Sequence, residues 1–146
     1  MSLDCQIDWL VDRLLEEYPG LEKSTAKKAL SAREWLRTRI CWGIPKGFVY
    51  WWGDQRGTYG AILMRPVNQE LLLHGTFKYW DTIFEYDPDG DICWVDFAYG
   101  PGLYHKMIAL CRTTNCARLG WRHRNRVHLA PMERMPSKAL RKAFHF

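Results

Sequence analysis

The stretch from Ile92 to Thr113, ICWVDFAYGPGLYHKMIALCRT, decides the fold because it joins a strand, a glycine turn and a helix. Residues 92–97 form a short run of apolar, β-favouring side chains, which is typical of a buried strand. Past Gly102 the apolar residues recur at helical spacing, which predicts a helix over residues 103–113. The first backbone N–H groups of such a helix carry a partial positive charge and suit a phosphate or another anion. The turn therefore predicts a site for an anion, although an ordinary strand-to-helix turn has the same pattern.

Two helices are predicted ahead of the first strand. Ser2 can cap a helix that runs to about Tyr18, and Ser24 can cap a second helix that ends at about Ile40. A short closing helix is predicted at residues 137–144. The chain has 146 residues, of which 47% are apolar and 14% aromatic, so we expect one domain, residues 1–146, with a substantial core.

Alternating and β-branched residues predict six strands, at residues 48–52, 58–65, 82–86, 92–97, 116–122 and 126–130. The first four are expected to form two hairpins, the second closed by the turn Asp87–Gly90. Residues 66–81 fit a strand or a helix equally well. Because a helix separates the fourth strand from the fifth, those two should pair in parallel. The pattern predicts an α+β fold with a mixed, mainly antiparallel sheet and helices on its faces.

Cysteine usage and hydropathy indicate a cellular compartment. The five cysteines are scattered and mostly lie in apolar surroundings, as is typical of a reducing compartment. No apolar run approaches the roughly 20 residues that span a bilayer. The acidic N-terminus does not resemble a secretory signal. We therefore expect a cytoplasmic protein, and the cysteine spacing predicts no metal site.

Charge is distributed unevenly along the chain. Residues 1–111 hold 12 basic and 15 acidic side chains, whereas residues 112–146 hold nine basic side chains and one acid. Within the basic part the arginines alternate and would share one face of an extended segment; they are Arg118, Arg122, Arg124 and Arg126. Such a strip can contact coenzyme phosphates, an acidic carrier protein or a nucleic-acid backbone. A solvated, charged edge strand explains it equally well.

Two residues are candidates for acid–base chemistry. Asp96 lies inside an apolar strand, where alternation places it on the face of Trp94, opposite Val95 and Phe97. Burial there would raise the pKa of its carboxyl group toward the range of a general base, although a buried aspartate that is hydrogen-bonded to a neighbouring strand or paired with an arginine is the simpler interpretation. His123 follows the strand that ends near residue 122 and can accept a proton from an amine; the alternative is a surface or phosphate-contacting role.

The order of elements, together with the glycine turn, resembles the GCN5-related N-acetyltransferase (GNAT) superfamily over roughly residues 4–132. The turn motif of that superfamily is Gln/Arg-x-x-Gly-x-Gly/Ala, and Gly100 and Gly102 match both of its glycine positions. The resemblance implies transfer of an acyl group from acetyl-CoA or another acyl-CoA to an amine. It further implies that the coenzyme contacts Phe97, Ala98, Tyr99, Gly100, Gly102, Leu103 and Tyr104.

Within that superfamily, residues 94–100 and 102–107 resemble the toxin-activating lysine acyltransferases, which take a fatty acyl group from acyl carrier protein. The resemblance assigns the catalytic aspartate of those enzymes to Asp96. Their catalytic histidine lies near the N-terminus, where this chain has no histidine before His74. The alternative from a different class is a non-catalytic module that binds nucleic acid through residues 112–142.

Overall fold

The computed structural model describes residues 2–17, 31–53, 59–73, 85–123 and 126–132. The helices are α1 (Leu3–Glu17), α2 (Ala32–Gly43), α3 (Gln69–Leu73) and α4 (Leu103–Arg112), and a 3₁₀ turn (Ile44–Lys46) follows α2. The strands are β1 (Val49–Gly53), β2 (Tyr59–Val67), β3 (Ile92–Tyr99), β4 (Arg118–His123) and β5 (Arg126–Pro131). None of the helices in these ranges is long and apolar enough to cross a membrane.

Serine side chains cap the first two helices. The Ser2 hydroxyl accepts a hydrogen bond from the backbone N–H of Cys5 at 3.3 Å, as predicted for α1. The helix that reaches Ile40 begins at Ala32, and its cap is Ser31 rather than Ser24, so the predicted start was wrong for this helix. Ser31 accepts from the N–H of Glu34 at 3.2 Å, and a serine three residues before a glutamate is the sequence pattern of a capping box. Ser24 and the predicted closing helix at residues 137–144 lie outside the described ranges.

The five strands form one mixed sheet in the order β1-β2-β3-β4-β5. Neighbouring strands are antiparallel except β3 and β4, which pair in parallel around α4 as predicted. The predicted α+β class with a mainly antiparallel sheet is therefore confirmed. The first predicted hairpin, now β1 and β2, is also confirmed.

The second predicted hairpin is wrong, because the antiparallel neighbour of β3 is β2 and not the segment 82–86. The turn itself forms, since Gly90 N–H donates to the Asp87 carbonyl oxygen at 2.9 Å. However, residues 85–86 are not in a strand, and residues 82–84 lie outside the described ranges. Strand β2 is buried along nearly its whole length, so it needs paired neighbours on both edges, and β3 provides the second. Within the ambiguous segment 66–81, the short helix α3 forms.

Each face of the sheet has its own apolar core. Helices α1 and α2 cover one face, here called the α1–α2 face, whose core includes Ile7, Leu10, Val11, Leu14, Trp35, Leu36, Ile40, Ala61, Leu63 and Phe97. Helix α4 covers the other face, here called the α4 face, whose core includes Trp52, Ile62, Met64, Cys93, Val95, Ala98, Leu103, Met107, Leu119 and Trp121. Helices therefore lie on both faces of the sheet, with β2 and β3 at its centre.

Candidate functional site

The turn between β3 and α4 contains two glycines that are required for different reasons. Gly100 has φ +142°, and a Cβ atom there would lie 2.4 Å from the Cα atom of Gly60 and 2.9 Å from the Trp52 ring. This close approach to the neighbouring strand explains the first glycine of the motif by packing alone.

Gly102 differs from Gly100 because it faces open space. It has φ +63°, and a Cβ atom there would have no other atom within 4 Å. Gly102 is also the N-cap of α4 and provides no side-chain cap, so the first N–H groups of α4 lie next to this open space. A molecule can approach this backbone closely, which the packing at Gly100 does not allow.

An indole side chain anchors the turn to the opposite edge of the sheet. The Trp52 Nε1–H group donates to the carbonyl oxygen of Pro101 at 2.8 Å, and the Trp52 ring is buried on the α4 face. Because Pro101 has no N–H of its own, the donors available in the turn are those of the glycines and of the first turn of α4.

The two parallel strands part before the turn. The β3–β4 register runs from Ile92–Arg118 to Trp94–Gly120 and ends there, although β3 continues to Tyr99 and β4 to His123. We call the space between residues 95–99 and 121–123 the β3–β4 opening. Along this opening the β3 backbone has no register partner on β4, whereas its other edge pairs with β2.

A β-bulge places Asp96 at the start of this opening. Leu63 pairs with Phe97 and Met64 pairs with Val95, so Asp96 is the extra residue of β3. The bulge corrects the prediction that Asp96 and Phe97 lie on opposite faces. Phe97 packs in the core of the α1–α2 face, and Asp96 contacts Arg65, whose β2 position shares that face with Leu63.

The Asp96 carboxylate forms a buried ion pair. The Arg65 Nη2 group donates to Oδ1 at 3.1 Å, and Arg65 Nε lies 3.0 Å from Oδ2. The third guanidinium nitrogen, Nη1, donates to the Glu85 carbonyl oxygen at 2.8 Å. The two side chains are only 2% and 8% exposed. This is the arrangement of the simpler interpretation, a buried aspartate paired with an arginine.

Burial governs the acid–base properties of this pair. Desolvation raises the pKa of Asp96, against the opposing effect of the nearby Arg65 and Arg39 guanidinium groups. Desolvation likewise lowers the pKa of Arg65, against the attraction of Asp96. The Arg39 guanidinium lies 4.0 Å from the centroid of the Trp35 ring. The elevated pKa of Asp96 agrees with the predicted effect of burial, whereas a catalytic role for this residue stays a prediction.

The residues predicted to contact a coenzyme lie along the end of β3 and the start of α4. The side chains of Phe97, Ala98 and Leu103 are buried in the cores, so these residues can offer only backbone groups to a ligand. Tyr99 and Tyr104 are half-buried, and burial raises the pKa of the Tyr99 hydroxyl. The site that these positions define is therefore made mainly of backbone donors.

The second predicted catalytic residue borders the same opening. His123 is the last residue of β4 and lies three positions past the last pair with β3. Asp96 lies two positions past that pair on the other strand. The fold therefore brings the two predicted positions to the two strands that bound the β3–β4 opening.

The arginine strip is not a single face. Strands β4 and β5 form a hairpin, so the chain reverses between His123 and Arg126 instead of continuing in one direction. Arg118 lies on the face opposite Leu119 and contacts Asp91 at 3.1 Å, whereas Arg126 alternates with His128 and Ala130 toward the α4 face. The predicted shared face was wrong for these two arginines. Arg124 lies outside the described ranges, and nucleic-acid binding through this region stays a prediction.

Sequence reasoning missed Arg65 as the partner of Asp96. The signal was available, because Arg65 is the only charged residue in the apolar segment 59–67. A lone arginine in one buried strand and a lone aspartate in another predict an ion pair, since buried charges require partners. In the described parts of the chain, no group of three or more histidine, cysteine or acidic side chains is placed to hold a metal ion.

Comparisons with protein-family models, with curated proteins and with solved structures find no match to this chain.

Proposed function

We propose that this chain is an acyltransferase of the GNAT type, which transfers an acyl group from coenzyme A to an amine. The observation that carries the proposal is the parting of the parallel strands β3 and β4 directly beside the open glycine turn. This arrangement combines a strand edge that β4 leaves at Trp94 with the positive end of a helix, and both are suited to a ligand that carries a thioester and phosphates.

The residues present fit the phosphates of the coenzyme. Gly102 leaves room for close approach, and the first N–H groups of α4, at Leu103 and Tyr104, point out of the positive end of the helix. The Trp52–Pro101 hydrogen bond stabilises the turn that presents these donors. When bound, the coenzyme supplies the acyl group as an activated thioester.

We assign the chemical roles to backbone and side-chain groups along the opening. A backbone N–H group of β3 near Phe97 and Ala98, on the edge that faces the opening rather than β2, donates to the acyl carbonyl oxygen and stabilises the negative charge that develops there. His123 accepts the proton that the amine loses as its nitrogen bonds to the acyl carbon. The coenzyme would leave as its free thiol once the C–S bond is broken, and the proton that His123 has accepted would supply the thiol hydrogen and return His123 to its neutral form.

In this proposal Asp96 is a positioning residue and not the base. Its carboxylate is already held by Arg65, and the pair fixes the bulge at the point where the strands part. A bulge next to a site commonly sets the direction of the neighbouring groups. The amide donors at Phe97 and Ala98 follow the bulge directly.

Calorimetric titration with acetyl-CoA and a long-chain acyl-CoA tests the binding step. Gly102→Asp adds a negative charge where the phosphates would lie, in a conformation that aspartate tolerates better than most residues. Gly47→Asp is the matched control, because Gly47 also has φ +74° and open space around its Cβ position. We expect at least a tenfold loss of affinity for Gly102→Asp and none for Gly47→Asp. Absence of binding of either acyl-CoA to the folded wild-type protein would exclude the coenzyme.

Thiol release tests the transfer step. The protein is incubated with an acyl-CoA and a panel of primary amines, and the free thiol is measured. His123→Gln should bind the acyl-CoA with unchanged affinity and lose most of the amine-dependent release. Full release by His123→Gln would show that another group accepts the proton.

A further inference from the structure

A cavity lies on the α4 face, at the opposite end of α4 from the glycine turn. Its volume is about 410 Å³. This lies near the lower limit for ligand pockets, whose volumes range from about 300 to 1,000 Å³. It lies between the β1–β2 ribbon, the start of β3 and the C-terminal end of α4. Because α4 has ten residues and rises about 1.5 Å per residue, roughly 15 Å separate this cavity from the glycine turn. The cavity therefore does not belong to the proposed coenzyme site.

The inner wall of the cavity is apolar and deformable. It is formed by Phe48, Tyr50, Ile62, Met64, Cys93 and Leu110. Met64 Sδ and Cys93 Sγ lie 3.9 Å apart, so two sulfur atoms form part of this wall. Methionine adapts its shape readily and suits flexible apolar ligands. The wall thus favours an aliphatic chain over a rigid polar molecule.

The charges at the rim are all positive among the described lining residues. Lys46 and Arg65 line the cavity, and none of the described lining residues is acidic. The Arg65 guanidinium pairs with Asp96 on the other face of the sheet, so Lys46 supplies the accessible charge. The exposed Lys46 ammonium group lies 4.9 Å from the Trp42 ring centroid and donates one hydrogen bond to the Trp42 carbonyl oxygen at 3.4 Å, so two of its three N–H groups remain for an anion. An anionic group on the ligand would therefore find a partner at Lys46.

Two threonine hydroxyl groups partly offset the negative end of α4 that lies at the rim. The Thr113 hydroxyl donates to the Leu110 carbonyl oxygen at 2.7 Å, and the Thr114 hydroxyl donates to the Cys111 carbonyl oxygen at 2.8 Å. These bonds engage carbonyl groups at the negative end of the helix. With Asn115, the two threonines give the rim neutral polar groups.

We propose that this cavity binds a small amphiphilic anion, an aliphatic carboxylate of medium chain length, with its chain against the inner wall and its carboxylate at Lys46. The site is independent of acyl transfer at the β3–β4 opening. Either site can therefore be present without the other.

Calorimetric titration of the full chain with decanoate tests the proposal, with decanol and decylammonium as neutral and cationic counterparts of the same chain. We expect decanoate to bind at least tenfold more tightly than decylammonium, with decanol between them. Lys46→Ala should lower the affinity for decanoate at least tenfold, and Lys46→Arg should preserve that affinity. Arg112→Ala removes an exposed cation at the end of α4 that does not line the cavity, and it should leave the affinity unchanged.

Leu110→Trp fills the cavity from α4 and should abolish decanoate binding, while Ala109→Trp on the exposed side of the same helix should not. Near-ultraviolet circular dichroism verifies that each variant is folded. The proposal is overturned if decanoate does not bind the wild-type protein, if decylammonium binds as tightly, or if decanoate binds Lys46→Ala or Leu110→Trp with wild-type affinity.

Discussion

Asp96 is the bulged residue of β3, and its two carboxylate oxygens lie 3.1 Å and 3.0 Å from Nη2 and Nε of Arg65 on the neighbouring strand β2. The ion pair therefore spans the two central strands at the place where β3 changes register. Removing two charges from water costs free energy, and their attraction only partly offsets that cost. We infer that the pair stabilises the bulge and has only a small net effect on the free energy of unfolding.

Arg65→Met should lower the free energy of unfolding by about 3–5 kcal/mol, because it leaves the Asp96 carboxylate buried without its partner. The double variant Arg65→Met/Asp96→Leu should recover most of that loss, since no charge then remains buried in the pair. Urea denaturation monitored by tryptophan fluorescence measures both variants. Arg37→Met, which breaks the exposed contact with Asp8, is the control and should have a much smaller effect. An Arg65→Met loss no larger than that of the control would contradict a buried pair.

Asp96 should also give a characteristic pH dependence. Because burial raises its folded-state pKa above the ordinary value of 3.8, the folded protein binds more protons than the unfolded chain over the range between the two values. Stability relative to Asp96→Asn should therefore fall as pH rises through that range. Asp87 should behave in the opposite way, because hydrogen bonds from Asn68 and Asp89 lower its pKa. Stability relative to Asp87→Asn should fall as pH decreases below 3.8. Equal slopes for the two comparisons would refute the assigned directions.

The two glycines of the turn should respond differently to alanine. Gly100→Ala should cost at least about 3 kcal/mol, because the new Cβ atom would overlap Gly60 and the backbone conformation is unfavourable. Gly102→Ala adds a methyl group in open space. It should lower the free energy of unfolding by only about 1 kcal/mol, which is the cost of a left-handed backbone conformation for alanine. Thermal or urea unfolding separates the two. Similar losses at both positions would mean that Gly102 is also packed.

The start of α2 provides a further test. Ser31→Ala should destabilise the protein by about 1 kcal/mol, because the N–H of Glu34 loses its acceptor, and Ser31→Asp should restore the cap. The comparison is made by urea denaturation. If Ser31→Ala has the stability of the wild-type protein, Ser31 does not cap this helix.

Local sequence patterns predicted which segments form strands and helices better than they predicted which strands pair in the sheet. The change of period at Gly102 marks the strand, the turn and α4, because these depend on residues close in sequence. The pairing of β3 with β2 depends on contacts between segments some 30 residues apart, and the Asp87–Gly90 turn suggested a local hairpin instead. Sequence proximity therefore gave the wrong partner for β3.

The strand and the helix around the candidate site were predicted, but the bulge at Asp96 was not. The strand and the helix that border the opening could be predicted because each depends on residues close in sequence. The bulge at Asp96 adds one residue to β3 and has no local sequence signal. Alternation therefore placed Phe97 on the wrong face. The prediction of a shared face for the arginine strip was wrong for a related reason. The chain reverses after His123, and no glycine or proline marks this reversal in the sequence.

The most direct test of the central proposal is a titration of ¹⁵N-labelled protein with coenzyme A, followed by two-dimensional NMR. We predict that the largest shifts fall on the backbone amides of Gly102, Leu103 and Tyr104, with smaller shifts along residues 95–99, and that the amide of Gly47 does not move. Saturating coenzyme A that leaves the amides of the turn unshifted, or that shifts only residues remote from the β3–β4 opening, would contradict the proposed site.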